Sequence, residues 1–259
     1  MTKRKYGTVY LALFFVILYI PILSVLIFSF NSTSSTAQWS GFSLMWYREL
    51  FKDRVILESL ILSLQVGVMT AILSAIIGTF AAVTGTLVKK RRGKTIEGLM
   101  LLPLLVPELA LGISLLILFT FLKIPLGRFT LVIAHSLFCV PYVYVMVGLR
   151  LKEIDISILE ASRDLGASQW EMIKTIILPL VYPSIITASL LALAMSLDDV
   201  VISTYVSGSK STLPVHVFSM MRVGVTPKIN ALCTIILLIT FTILGLSQID
   251  LSSSKKKEV

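Results

Sequence analysis

The stretch "EIDISILEASRDLGASQWEMIKTIILPL", Glu153–Leu180, is the longest polar passage in a mostly apolar chain. Its residues spell two helices joined by a turn. Ser157 and Glu160 stand at capping-box spacing, the hydroxyl covering one free backbone N–H and the carboxylate reaching back to another. The helix they start runs to Leu165 and stops at Gly166, which takes the left-handed C-terminal conformation without strain. Ser168 and Glu171 repeat the box, and the second helix leads into Pro179. Ile158, Leu159 and Leu165 give the first helix an apolar side.

On both sides of this passage the chain turns apolar. Of its 259 residues, 56% are hydrophobic and 14% charged, and the mean hydropathy is +0.92. A soluble domain carries about a quarter charged residues. A bilayer-spanning helix needs about 20 apolar residues. Six such runs occur, near Thr8–Phe30, Ser59–Val88, Leu99–Leu122, Phe129–Leu149, Pro179–Thr204 and Ile229–Asp250. The expectation is an all-α membrane protein, one domain over residues 1–259 with six transmembrane helices and a polar loop at 150–178. The first run is too long for a signal peptide and lacks a small-x-small cleavage pattern, so it reads as a retained span. Cys139 and Cys233 lie in apolar runs without metal-like or disulfide-like spacing, and read as small buried hydrophobes.

Charge sets the orientation. With the N-terminus inside, the cytoplasmic segments hold Lys3, Arg4, Lys5, Lys89, Lys90, Arg91, Arg92 and Lys94. They continue with Arg150, Lys152, Arg163, Lys174, Lys255, Lys256 and Lys257, leaving a minority of the 23 Lys and Arg outside. The positive-inside rule then puts both termini in the cytoplasm. Basic loops against anionic lipid headgroups account for the net charge of +9 without any nucleic acid. Gly93-Lys94-Thr95 resembles the end of a phosphate-binding loop, but the upstream glycine that motif needs is Val88 here, and no strand precedes it. No nucleotide site is expected on this chain.

Glu160-Ala161-Ser162, Gly166, Ile176 and Leu178-Pro179 resemble the EAA loop of ABC importer permeases: EAA, three residues, Gly, nine residues, then I-x-L-P. Ser162 in the third place is a small-for-small departure. Further blocks resemble the spermidine/putrescine permeases, nearest to the second of their two permease subunits. They are Tyr19-Ile-Pro21, Ser29-Phe-Asn31, Trp46-Tyr47, Ser196-Leu-Asp-Asp-Val200 and Gly224-Val-Thr-Pro227 with Ile229-Asn-Ala231. The resemblance implies a type I importer fold, with Glu160, Ala161, Ser162, Gly166, Leu178 and Pro179 forming the coupling element that docks on the ATPase. It also implies a bacterial inner-membrane location, a second permease subunit, two ATPase subunits and an extracytoplasmic polyamine-binding protein. ATP and Mg would sit on the partner ATPase, with no cofactor bound by this chain.

Asp198 and Asp199 stand at the end of the fifth apolar run. An ionised Asp at the bilayer centre costs about 2.5–3.5 kcal/mol on insertion scales, so a pair calls for a reason. One is a helix end near the outer headgroups. The other is a cation site: a polyamine needs carboxylates for its ammonium groups and apolar walls for its alkyl chain. On one continuous helix, Ser196, Asp199 and Ser203 would share a stripe, with Asp198 turned about 100° away toward a partner subunit or toward Arg222. Pro103 and Pro107 weaken the third run just before Glu108, and broken helices at mid-membrane line substrate sites. Trp46 and Tyr47 read as interfacial belt residues or as a cation–π wall at an outer mouth. The substrate-pathway set is therefore Trp46, Tyr47, Glu108, Ser196, Asp198 and Asp199. His135 and His216 carry no ligand spacing and read as ordinary polar residues.

Other function classes fit less well. A proton-coupled secondary transporter would use the carboxylates but leaves the EAA loop unexplained. An intramembrane aspartyl protease needs two facing carboxylates, which neighbours on one helix cannot supply. An anion permease would call for arginines inside the spans, and there are none. Another cationic or small solute remains the alternative cargo. Gly78-x-x-x-Ala82 and Ala81-x-x-x-Gly85 give the second span a small-residue face, read as the packing surface for a second permease.

Overall fold

The computed structural model describes residues 2–36, 38–88 and 90–238. Its helices are α1 (Thr2–Phe28), α2 (Met45–Lys52), α3 (Arg54–Leu87), α4 (Lys90–Leu101), α5 (Glu108–Phe121) and α6 (Arg128–Lys152). They continue as α7 (Ile156–Asp164), α8 (Gln169–Met172), α9 (Leu178–Asp198), α10 (Val201–Val206), α11 (Leu213–Val223) and α12 (Pro227–Leu238). A 3-10 turn (Leu102–Leu105) follows α4, and a π turn (Ile173–Ile177) links α8 to α9. The only β-type pairing among the described residues is an isolated bridge between Asn31 and Phe42.

Three helical stretches, Arg54–Leu87, Arg128–Lys152 and Gln169–Asp198, are long and apolar enough to cross a membrane. Arg91–Leu105 and Glu108–Phe121 qualify as a pair bent by 101°. Leu13–Phe28 and Pro227–Leu238 are shorter apolar helices. These map in order onto the six apolar runs. The C-terminal half of the sixth run, and Lys255–Lys257, lie outside the described residues. The fifth run ends its helix at Asp198 instead of continuing to Thr204.

The chain divides into two compact units, one of Glu58–His216 and one of Met1–Leu57 with Val217–Val259. At the centre of the first lies α6. Leu131, His135, Cys139, Val143 and Val147 are fully buried along it, one helical stripe. α9 answers with Val181, Ala188, Ala192 and Ser196, all buried, and the two alanines let the backbones close in. Against lipid, where apolar burial gains little, such close packing and interhelical hydrogen bonds hold helices together. α3 shows the corresponding polarity. Ser59, Ser63, Thr70 and Ser74 are buried, while Ile61, Val68, Ile72, Ile76 and Phe80 are exposed along the opposite face.

The small residues of α3 serve packing inside the chain. A Cβ on Gly78 would come within 2.7 Å of Val143 Cβ and 3.0 Å of the Tyr144 backbone nitrogen. Ala81 and Ala82 are buried, and Gly85 sits near the Tyr144 hydroxyl. This corrects the expectation of a face reserved for a second permease: α6 of the same chain occupies it.

In the other unit a loop is clasped to the end of α1. Ser29 and Asn31 are fully buried. The Asn31 amide donates to the carbonyls of Ser35 (2.7 Å) and Gln38 (2.8 Å) and accepts the Ser40 N–H (2.8 Å). Trp46 Nε1 donates to the Asn31 carbonyl at 2.8 Å, and the Tyr47 hydroxyl pairs with Ser29 Oγ at 2.8 Å. Phe30 stacks on Phe42 and tilts against Tyr47, each at 5.2 Å. Lys228 of α12 donates to Asp53, just ahead of α3. Arg222 lies over the Phe218 ring at 4.7 Å. Cys139 is buried as expected, whereas Cys233 is only half-buried.

Candidate functional site

Two helix breaks in the first unit build the site. The first follows from Pro103 and Pro107, which supply no backbone donor and clash with the preceding turn. α4 tightens into the 3-10 turn, Val106 is extended, and α5 restarts at Glu108 with Pro107 as its N-cap residue. Glu108 thus occupies the first turn of α5, where the helix dipole favours a carboxylate.

The second break has neither proline nor glycine. α9 ends at Asp198, and Asp199 turns extended, with ψ 123°. Its carboxylate accepts the backbone N–H groups of Ile202 (3.3 Å) and Ser203 (2.7 Å), capping the start of α10. An aspartate that can bond forward to free N–H groups competes with helix continuation, and the β-branched Val200 and Val201 behind it favour a helix only weakly. The continuous stripe of Ser196, Asp199 and Ser203 is therefore replaced by a broken helix. Asp198 is left exposed on the last turn of α9, where the dipole's negative end favours cations.

Both breaks open on one cavity of about 470 Å³. Glu108, Asp198 and Asp199 line it together with Phe138, Met195, Val200 and Val201. Three carboxylates from two chain breaks face an aromatic ring and aliphatic side chains. Ser196 sits behind this wall: it is buried and bonded to a histidine that the sequence alone did not single out. His135 of α6 is fully buried, with Nδ1 2.6 Å from Ser196 Oγ and Nε2 2.9 Å from Ser203 Oγ. The same Nε2 is 3.4 Å from Asp199 Oδ2. Asp199, 5% exposed at its side chain, is thus the compensated acid of the three, while Asp198 and Glu108 are open to the cavity. Trp46 and Tyr47 belong to the loop clasp of the other unit, where their polar atoms are engaged.

The polar passage 153–180 forms the hairpin expected, with one correction. The cap of α7 is Asp155, whose carboxylate accepts the Ser157 N–H at 3.0 Å, so the helix starts at Ile156 and Ser157 lies within it. A carboxylate two residues earlier in extended backbone outcompetes the hydroxyl. The second box is as read: Ser168 Oγ accepts the Glu171 N–H and the Glu171 carboxylate accepts the Ser168 N–H. Gly166 has φ +84°, with Ala167 N–H bonded to the Ser162 carbonyl and Gly166 N–H to the Arg163 carbonyl, a Schellman closure. Ser162 is buried, and Leu159 packs on the core. Glu160, Ala161, Gly166 and Pro179 are exposed, and Leu165 (88%) and Trp170 (69%) stand out beside them. A π turn lies just ahead of Pro179, with the Leu178 N–H bonded to the Ile173 carbonyl. Gly93-Lys94-Thr95 falls inside α4, a helix in place of a glycine-rich loop.

Residues 74–257 match the family model described as binding-protein-dependent transport system inner membrane component. The chain is 43% identical over 245 residues to the putrescine transport system permease protein PotI of Escherichia coli, covering 92% of this chain and 87% of that one. It is 38% identical over 233 residues to the spermidine/putrescine transport system permease protein PotC of Haemophilus influenzae, covering 90% and 91%. Among solved structures, a chain of a bacterial ABC transporter involved in the import of the acidic polysaccharide alginate superposes with a TM-score of 0.73 at 15% identity, covering 95% and 96%. A chain of the MetNI methionine ABC transporter in an inward-facing conformation gives 0.59 at 16% identity, covering 75% and 91%.

Proposed function

Because this chain belongs to the family of binding-protein-dependent transport system inner membrane components, we propose that it is a permease subunit of an ATP-driven polyamine importer. The convergence of Glu108, Asp198 and Asp199 on one cavity with an apolar wall carries the reading. Ammonium groups spaced along an alkyl chain match carboxylates spaced around Phe138, Met195 and Val201. The fold alone does not choose the cargo, since the same architecture occurs in a transporter of an acidic polysaccharide. The acids of this chain, and the polyamine names of relatives covering most of its length, support a cation.

In this reading the protein spans the inner membrane with both termini in the cytoplasm, and the 153–180 hairpin faces the ATPase. Exposed Leu165 and Trp170 beside Glu160 and Ala161 offer the ATPase an apolar contact with a polar rim. ATP and Mg bind on that partner. A second permease subunit completes the pathway, and an extracytoplasmic binding protein delivers the polyamine. Alternating access exposes the acid cavity to each side in turn. The hydrogen bonds of Trp46 and Tyr47 favour a role in shaping an outer loop over a cation–π wall.

The test is ATPase stimulation in the reconstituted complex, with the binding protein loaded by putrescine or spermidine. Stimulation by the polyamines, and none by an uncharged diol of equal length, is expected. Equal responses to diol and diamine would overturn the assignment.

A further inference from the structure

A buried histidine satisfied by two hydroxyls is, by itself, ordinary core chemistry. His135 differs in where its partners lie. Ser196 is in the last turns of α9 and Ser203 is in α10, and the backbone ladder between them is interrupted at Asp199. One rigid imidazole therefore ties together the two sides of a break whose continuity the main chain does not provide. The third contact is Asp199 itself, 3.4 Å from Nε2. An ionised carboxylate only accepts, so the donor facing it from this cluster is the Nε2–H or the Ser203 hydroxyl. α6 grips the far end of α10 as well, through the Thr130 hydroxyl, which donates to the Val206 carbonyl at 2.8 Å. α10 rests in turn on α5, where a Cβ on Gly112 would meet Tyr205 at 2.9 Å. The wider bundle thus places α10, and the imidazole bonds side chains on both sides of the break.

We propose that His135 is a positioning residue of the cation cavity: by bridging Ser196 to Ser203 and facing Asp199, it fixes the break that presents Asp198 to the cavity it shares with Glu108. The proposal rests on the polyamine reading of that cavity. Loss of the imidazole removes the tie across the break and takes one donor from Asp199, nearly buried, leaving it the Ile202 and Ser203 backbone N–H groups and the Ser203 hydroxyl. The break then samples other angles, and the carboxylates meet the substrate's ammonium groups less often in register. His135 itself does not line the cavity.

The experiment compares wild type, His135→Leu and His135→Gln in the assembled complex. Leucine keeps bulk and loses both arms; glutamine puts an amide nitrogen near the position of Nε2 and keeps the arm toward Ser203 and Asp199. Backbone amide exchange over residues 199–206, without substrate, reads the break directly. It should rise about tenfold in His135→Leu and stay near wild type in His135→Gln. The polyamine concentration for half-maximal ATPase stimulation should rise about tenfold in His135→Leu, with the unstimulated rate unchanged, and return toward wild type in His135→Gln. Unchanged exchange in His135→Leu overturns the proposal, as does faster exchange with an unchanged half-saturating concentration. Glutamine as impaired as leucine on both readouts also overturns it. A wild-type complex that ignores polyamines defeats the cargo assignment instead, and the exchange result then decides the role of His135 separately.

Discussion

Asp199 Oδ2 accepts the Ser203 backbone N–H at 2.7 Å, and through this bond an acid of the cavity wall is also the cap of the helix that follows it. One carboxylate thus has two duties that substitutions can separate. Asn caps a helix about as well as Asp, whereas Ala loses about 1 kcal/mol. Asp199→Asn should therefore keep α10 and lose a charge, impairing polyamine stimulation in a complex that melts like wild type. Asp199→Ala should lose both, with a lower melting temperature besides. Identical melting of the two variants would show that capping contributes nothing.

A second prediction concerns Gly166, whose φ of +84° lies where a Cβ is strained and where no neighbour lies within 4 Å of that Cβ. Any penalty is therefore conformational, about 1–2 kcal/mol for a β-branched residue. Gly166→Val should reorient the α7–α8 turn and uncouple ATP hydrolysis from transport, and Gly166→Asn, tolerant of that conformation, should do so far less. Glu160→Lys should uncouple without touching the fold, because Glu160 is exposed. Wild-type uptake and ATPase co-purification in Gly166→Val and Glu160→Lys would remove the hairpin from the coupling path.

What the sequence disclosed, and what it did not, divides by distance along the chain. Gly166, the Ser168–Glu171 box and the Pro103–Pro107 break are local grammar, and each stands where the residues put it. His135 had no local signal, because its partners are 61 and 68 residues away. The break at Asp199 was hidden because it comes from a side chain bonding forward, without proline or glycine. Asp155 was passed over for Ser157 because the capping-box pattern gives a lone carboxylate two residues earlier no weight. The Gly78 face was recognised as a packing surface, but sequence cannot say whether the neighbouring helix belongs to the same chain.

The Asp53–Lys228 pair carries a pH dependence. The hydrogen bond from Lys228 holds the Asp53 carboxyl below its ordinary value of about 3.9. A carboxyl depressed in the folded state stabilises it above the unfolded pKa, and that stability is lost as pH falls through the lower folded pKa. Between pH 6 and 8 its contribution is constant. Asp53→Asn should destabilise by about 0.5–1 kcal/mol at pH 7, since the pair is partly exposed. The gap to wild type should close below about pH 4. A gap that persists unchanged from pH 7 to pH 3 would exclude this pair as its source.

Asp198 and Glu108 supply the last prediction, because they are the acids of the cavity that stay open to it. Asp198 ends α9 and Glu108 begins α5, whose start carries no side-chain cap, so neutralising the two acids should leave the backbone in place. Each carboxylate facing an ammonium group contributes about 1–3 kcal/mol, equivalent to a tenfold to hundredfold change in affinity. Asp198→Asn and Glu108→Gln should each raise the half-saturating polyamine concentration by about that factor, with melting temperature and ATPase co-purification unchanged. If the two acids hold opposite ends of one diamine, the double variant should be only slightly worse than either single one for putrescine, since one lost anchor already frees the chain. For spermidine, whose third ammonium group can re-register, the two losses should come closer to adding. Uptake of both polyamines at matched expression in the three variants checks this. Wild-type half-saturation in both single variants would show that these carboxylates do not touch the cargo.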